Sequence, residues 1–182
     1  MSFVSSYIPT AGAAVERAED QLNWTITSRP QAATYYVRLV EAGSIFSSSF
    51  PRILEINNGS GGNPRFYIIQ NSNGKYRVGY VNAEGTTVTS DLTTAPTVGD
   101  VVELRATLSS AGVVQIHQSI NSGTETSAVA SSTQVLPTAW SGTQLWLNSR
   151  DTTQVGFNKF LDIVILRDIQ SLATMRRIAR AV

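Results

Sequence analysis

The stretch VVELRATLSSAGVVQIHQSI, residues 101–120, decides the fold class. From Val102 to Leu108 the even positions are apolar (Val102, Leu104, Ala106, Leu108) and the odd ones polar (Glu103, Arg105, Thr107). Successive side chains of a strand point to opposite faces, so this is the pattern of a strand with one face in a core. Ala111-Gly112 then supplies a residue that tolerates the positive φ of a tight hairpin. The following run, Gly112 to Ile120, again gathers Val114, Ile116 and Ile120 on one face. Two alternating strands joined through a glycine turn predict an antiparallel hairpin.

Working outward, Thr143-Gln144-Leu145-Trp146-Leu147-Asn148 places Leu145 and Leu147 together and Trp146 opposite. Three runs are apolar on both faces: 160–166 most clearly, then 65–69 and 35–40. Such strands lie at the centre of a sheet or under a covering element. Asn58-Gly59, Asn73-Gly74, Glu84-Gly85, Gly99-Asp100 and Ser141-Gly142 punctuate the rest. Asn73-Gly74 is the strongest hairpin signal, joining 65–71 to 75–82. Short strands at this spacing indicate an antiparallel sandwich or barrel. The last residues differ. Leu172, Met175, Ile178 (or Ala179) and Val182 recur at helical spacing, and Arg176, Arg177 and Arg180 sit late, where cations suit the helix dipole. This short helix either closes the sandwich or lies on a neighbouring subunit, with Leu172, Met175 and Ile178 as its contacts. Three regions follow: an arm over 1–22, a sandwich over 23–168, and a helix over 169–182.

Composition narrows the function classes. With 14 basic against 13 acidic residues the net charge is +1, which removes the electrostatic drive of a nucleic-acid binder. There is no cysteine, hence no disulfide or thiolate chemistry. No apolar run approaches the ~20 residues of a membrane span, and the first residues lack the basic start and apolar core of a signal peptide. Synthesis in the cytoplasm is the expectation, without membrane insertion.

Residues able to do chemistry are sparse. His117 is the one histidine, on the polar face of its strand beside Gln115 and Ser119, so it reads as a surface histidine rather than a triad member. Glycosidases need two carboxylates held close together. No strand here carries such a pair at i, i+2 or i+4; Glu41, Glu55 and Asp162 are isolated, and Glu103 faces outward beside Arg105. Neither 57–63 nor 150–153 offers the oxygen ligands of a calcium loop. Catalytic, cofactor and metal residues are therefore all expected to be none. Aromatic side chains are the remaining handle. Trp146 turned away from its leucines, Trp140 in a turn-rich segment and Tyr67 beside Arg65 are candidate glycan contacts, while Tyr76 and Tyr80 share a face.

Two segments carry a resemblance. Ser6-Tyr7-Ile8-Pro9-Thr10, followed by Ala14-Val15-Glu16-Arg17-Ala18-Glu19-Asp20, resembles a joining stretch of tailed-bacteriophage virion proteins, especially tail fibres. Leu145, Leu147, Phe157, Phe160, Asp162, Val164 and Leu166 are similar in layout to the closing strands of concanavalin A-like, laminin G-like domains. Asn148 stands where that pattern has glycine, and Phe157-Asn158-Lys159 replaces its Phe-Asn-Gly, so no ligand site carries over. The resemblance implies an all-β, antiparallel jelly-roll β-sandwich with an extended N-terminal arm and a short C-terminal helix. It implies a non-enzymatic virion protein, a capsid decoration or a tail or fibre component, assembled as a homo-oligomer or on other virion proteins. The arm residues Phe3, Val4, Tyr7 and Ile8 would make that contact. The alternative is a carbohydrate-binding module that recognises a host surface glycan, with a glycan-cleaving domain behind it.

Overall fold

A computed structural model of the chain describes residues 22–26, 32–42, 50–58, 63–130, 143–147 and 159–179. The arm contacts Phe3, Val4, Tyr7 and Ile8, and Trp140, lie outside the described residues.

Eleven described strands precede one helix. They are β1 (Leu22–Ile26), β2 (Ala33–Val40), β3 (Arg52–Asn57), β4 (Arg65–Gln70), β5 (Tyr76–Val81) and β6 (Thr87–Asp91), then β7 (Val101–Leu108), β8 (Val114–Ile120), β9 (Thr126–Val129), β10 (Thr143–Leu147) and β11 (Lys159–Arg167). The helix α1 spans Leu172–Ala179. A six-stranded sheet runs β1-β10-β3-β4-β5-β6 and a five-stranded sheet runs β11-β2-β7-β8-β9, with every pairing antiparallel. The fold is an antiparallel jelly-roll sandwich, as the sequence predicts.

The 101–120 hairpin is β7–β8, with Ala106 opposite Ile116 and Leu108 opposite Val114, so both apolar faces meet one core. Asn73-Gly74 joins β4 to β5; Gly74 has φ 77°, a region that favours glycine. The two inner faces interdigitate, and the ring of Tyr35 on one sheet stacks on Phe66 of the other at 4.3 Å between centroids.

Tyr76 and Tyr80 were expected together on an outer face, and the structure corrects this: both are buried in the core. The even positions of β5 point inward, with Val78 between them. The Tyr76 hydroxyl donates to the buried Glu41 carboxylate, which also accepts from Gln70 Nε2. That contact lets an aromatic ring with a polar tip enter the core.

The run at 160–166 is an edge strand rather than a central one, and its second apolar face is covered by α1. A bulge between Phe160 and Asp162 sets its parity. Phe160, Ile163 and Ile165 face the core, while Val164 and Leu166 face the helix. Ser171 opens α1 by accepting the Thr174 amide on its hydroxyl, an N-cap. Leu172 and Met175 pack on Tyr36 and Val164 of the same chain, so the sandwich takes up the two contacts expected to meet a partner; Ile178 is half-buried. Among the described residues no helix is long and apolar enough to cross a membrane.

Candidate functional site

The outer face of the six-stranded sheet gathers most of the expected ligand contacts. Side chains directly opposite one another across antiparallel strands share a face. The register sets Trp146 opposite Glu55, Glu55 opposite Tyr67, Tyr67 opposite Gly79 and Gly79 opposite Thr89, a row across β10-β3-β4-β5-β6. One position along, Ile69 stands between Arg52 and Arg77, and Arg77 faces Asp91.

Arg52 reaches this face through a bulge. The β3–β4 register shifts between Arg52 and Leu54, and both Ile53 and Leu54 turn into the core. The inserted residue puts Arg52 and Glu55 on the same outer surface, three residues apart, with Nε 2.8 Å from Oε2. Asn57 Nδ2 donates to the other Glu55 oxygen at 2.9 Å. Glu55 is fully buried and Arg52 is 5% exposed, a setting in which charges must be paired.

Tyr67 lies flat at the centre of the face. A Cβ on Gly79 would collide with the Tyr67 ring, so glycine leaves the space the ring occupies. The Arg52 guanidinium stacks over that ring at 4.7 Å and Arg65 lies 6.0 Å from its centroid. Burial raises the pKa of the Tyr67 hydroxyl, while Arg52, Arg65 and Arg77 pull the other way. Arg77 directs Nε and Nη2 to Asp91 at 2.6 and 3.0 Å. Burial pushes Asp91 up, but bonds from Arg77 and Asn71 outweigh it and hold its carboxyl below the usual range. Phe50, Arg52, Tyr67, Ile69 and Arg77 line an open surface cavity of about 170 Å³. Phe50 is 40% exposed, which leaves an apolar lip at the mouth.

Tyr67 thus sits in the cavity wall. Trp146 shares its face two strands away, 7% exposed, with its indole nitrogen buried and unpartnered among the described residues. Sequence reasoning missed Phe50, Arg52, Arg77 and Gly79. Gly79 was legible: a hairpin centred on Asn73 places residue 79 opposite 67. Arg52 was not, because the bulge breaks the alternation that assigns faces.

The outer face of the five-stranded sheet holds a polar cluster beneath α1. Glu103 accepts the Tyr36 hydroxyl at 2.8 Å and Arg176 Nε at 2.9 Å, while Arg176 Nη2 also reaches Ser119 Oγ. Burial pushes Glu103 up, but Arg176 and Tyr36 outweigh it and leave its pKa lowered. Burial and its bond to Glu103 push the Tyr36 hydroxyl well up. Glu103, expected beside Arg105 alone, is therefore the anchor of the helix. The cleft left there is about 60 Å³. His117 is half-buried, with Nδ1 2.9 Å from Glu125, which also pairs with Arg105. Its Nε2 is buried and makes no hydrogen bond among the described residues. Burial first, then Arg105, lower its pKa against the opposing pull of Glu125. No group of three or more His, Cys, Asp or Glu side chains able to hold a metal ion occurs among the described residues.

No known family and no curated protein matches the chain by sequence. Solved structures match it in fold. The K499G mutant of the NanB sialidase from Streptococcus pneumoniae superposes with a TM-score of 0.60 at 12% identity, over 85% of this chain and 26% of that one. The LG1-3 region of the laminin alpha2 chain gives 0.56 at 8% identity, over 80% of this chain and 30% of that one. The enzymatically active domain of bacteriophage CBA120 tailspike protein 2 gives 0.56 at 10%, over 81% and 24%. The chain spans less than a third of the length of each. At such identities the likeness is one of backbone architecture alone: two packed antiparallel sheets, an arrangement in which this chain is similar to the LG1-3 region of laminin alpha2.

Proposed function

We propose that this chain is a non-catalytic attachment module that holds a glycan on the outer face of its six-stranded sheet. The observation that carries this reading is the aromatic cavity built around Tyr67. Its ring lies over Gly79, Phe50 forms the lip, and guanidinium groups border the space. Sugar rings present C–H faces that pack on an exposed aromatic ring, here Phe50, while Tyr67, set between Gly79 and Arg52, forms the floor beside it; sugar hydroxyls take hydrogen bonds from fixed polar groups at the rim.

The seat of such a module is a tailed-phage virion, as a tail, fibre or capsid-surface component. The likeness of residues 6–20 to a virion joining stretch supports this, as does the tailspike among the structures of similar fold. The likeness leaves assembly on other virion proteins to the arm, since α1 spends Leu172 and Met175 on its own sandwich.

A glycan array of bacterial surface polysaccharides, read with the whole chain and with Phe50→Ala, tests the reading. Retention of a defined glycan class, weakened by Phe50→Ala, is expected. Equal retention by both proteins, or none by either, refutes it.

A further inference from the structure

The C-terminal helix stands on a strained joint and is tied down by a polar cluster that holds the one histidine of the chain. Asp168, between β11 and α1, adopts φ 70°, in the left-handed region that favours glycine. Thr34 Oγ1 donates to the Asp168 carbonyl and accepts from the Gln170 amide, both at 2.8 Å. Arg105 Nη1 donates to the Gln170 carbonyl at 3.0 Å, and Arg176 reaches from α1 to Glu103 and Ser119. A helix of eight residues has little stability of its own, so these ties and its apolar stripe decide whether it stays on the sheet. We propose that α1 is a pH-released strap: protonation of His117 weakens the ties at its start, and the helix lifts from the five-stranded sheet in mild acid.

The cluster has no good place for a proton on His117. Glu125 Oε1 lies 2.9 Å from His117 Nδ1 and 3.1 Å from Arg105 Nη2, so one carboxylate oxygen serves both. In the neutral ring the proton belongs on Nδ1, facing that carboxylate. A second proton must go to Nε2, which is buried and has no acceptor among the described residues. The surrounding charges are already matched. Arg105 of β7 pairs with Glu125 of the turn before β9, Arg176 of α1 with Glu103 of β7, and Arg38 of β2 with Asp162 of β11. The imidazolium is therefore a surplus cation. It competes for the oxygen that holds Arg105 and repels Arg105 itself. Arg105 links this cluster to Gln170, so the disturbance falls on the start of α1. Lifting α1 takes Arg176 away and frees Arg105 to turn toward water, which relieves the repulsion. Burial and Arg105 lower the pKa of His117, in agreement with this geometry. The docked helix is therefore favoured above the free histidine value of about 6.5 and loses ground as pH falls below it.

Hydrogen exchange of the full chain at about pH 7.5 and about pH 5.5, either side of the free histidine value and corrected for intrinsic rates, tests this. Protection of residues 172–179 should fall in acid by about tenfold for each unit by which docking lowers the His117 pKa, while β7 and β8 keep theirs. His117→Gln should hold the helix protected at both pH values. Equal protection of the helix at both values in the wild type, an equal acid loss in β7 and β8, or the same acid loss in His117→Gln would each overturn the proposal. The imidazole of a lone histidine can also be titrated by NMR without ambiguity. Truncating the stripe with Leu172→Ala and Met175→Ala should move its pKa up toward the free value, because coupling between two sites is reciprocal; retained protection of β7 and β8 shows that the sandwich remains folded. An unchanged titration in that variant would overturn the proposal whatever the fold of His117→Gln.

Discussion

Replacing Gly79 by alanine sets two opposing effects against each other. In an extended strand, alanine ordinarily stabilises relative to glycine by roughly 0.5–1 kcal/mol, because the unfolded chain loses less entropy. Here the new Cβ would enter the Tyr67 ring, whose residue is 7% exposed and roofed by Arg52. Forcing a packed side chain aside costs about 1–3 kcal/mol. The clash wins, and a net loss of about 1–2 kcal/mol is expected. A domain of this length shifts by roughly 2–4 °C per kcal/mol, so the melting temperature should fall several degrees. Calorimetry on four proteins, the wild type, Gly79→Ala, Tyr67→Ala and the double variant, isolates the cause. With Tyr67 already truncated, Gly79→Ala should be neutral or stabilising, giving a coupling energy above 1 kcal/mol. If Gly79→Ala alone raises the melting temperature, the ring does not lie over Gly79 and the cavity is wrongly described.

Other perturbations probe the opposite face and the core. Met175→Ala should cost about 2–5 kcal/mol, since Met175 is the fully buried contact of α1 on the sheet; hydrogen exchange should show the loss of protection concentrated in the helix. Glu103 has a lowered pKa in the folded state, so its contribution is complete above its unfolded pKa and fades as pH falls through the folded one. Glu103→Gln should cost about 1–3 kcal/mol at neutral pH and nothing in strong acid, flattening the acid limb of a stability–pH curve. The pKa of His117 is lowered too, so acidification below about 6.5 destabilises the fold through it, and His117→Gln should remove that step from the same titration. Tyr76→Phe should cost about 1–3 kcal/mol by stripping a hydroxyl from buried Glu41, measurable by urea unfolding.

The alternation of residues 101–120 determined the β7–β8 hairpin by itself, because period-two patterning and a turn glycine are local properties of the chain. The same logic located the Asn73-Gly74 turn and aimed Tyr67 and Trp146 outward. Helical spacing placed α1 and named Leu172 and Met175 as its apolar stripe. Tertiary structure decided what those faces meet. The stripe covers Tyr36 and Val164 of its own sheet, and that choice makes an edge strand such as β11 read as buried on both sides. Tyr76 and Tyr80 share a face, as their spacing requires, but which face is inward follows from the pairing of β5 with β4, whose Phe66 and Ile68 fill the core. Arg52 meets Tyr67 only because an extra residue in β3 shifts the register, and Arg77 joins them from a third strand. A binding face assembled across strands depends on bulges and strand order, which are settled by packing between residues far apart in sequence and leave no periodic trace within any one strand.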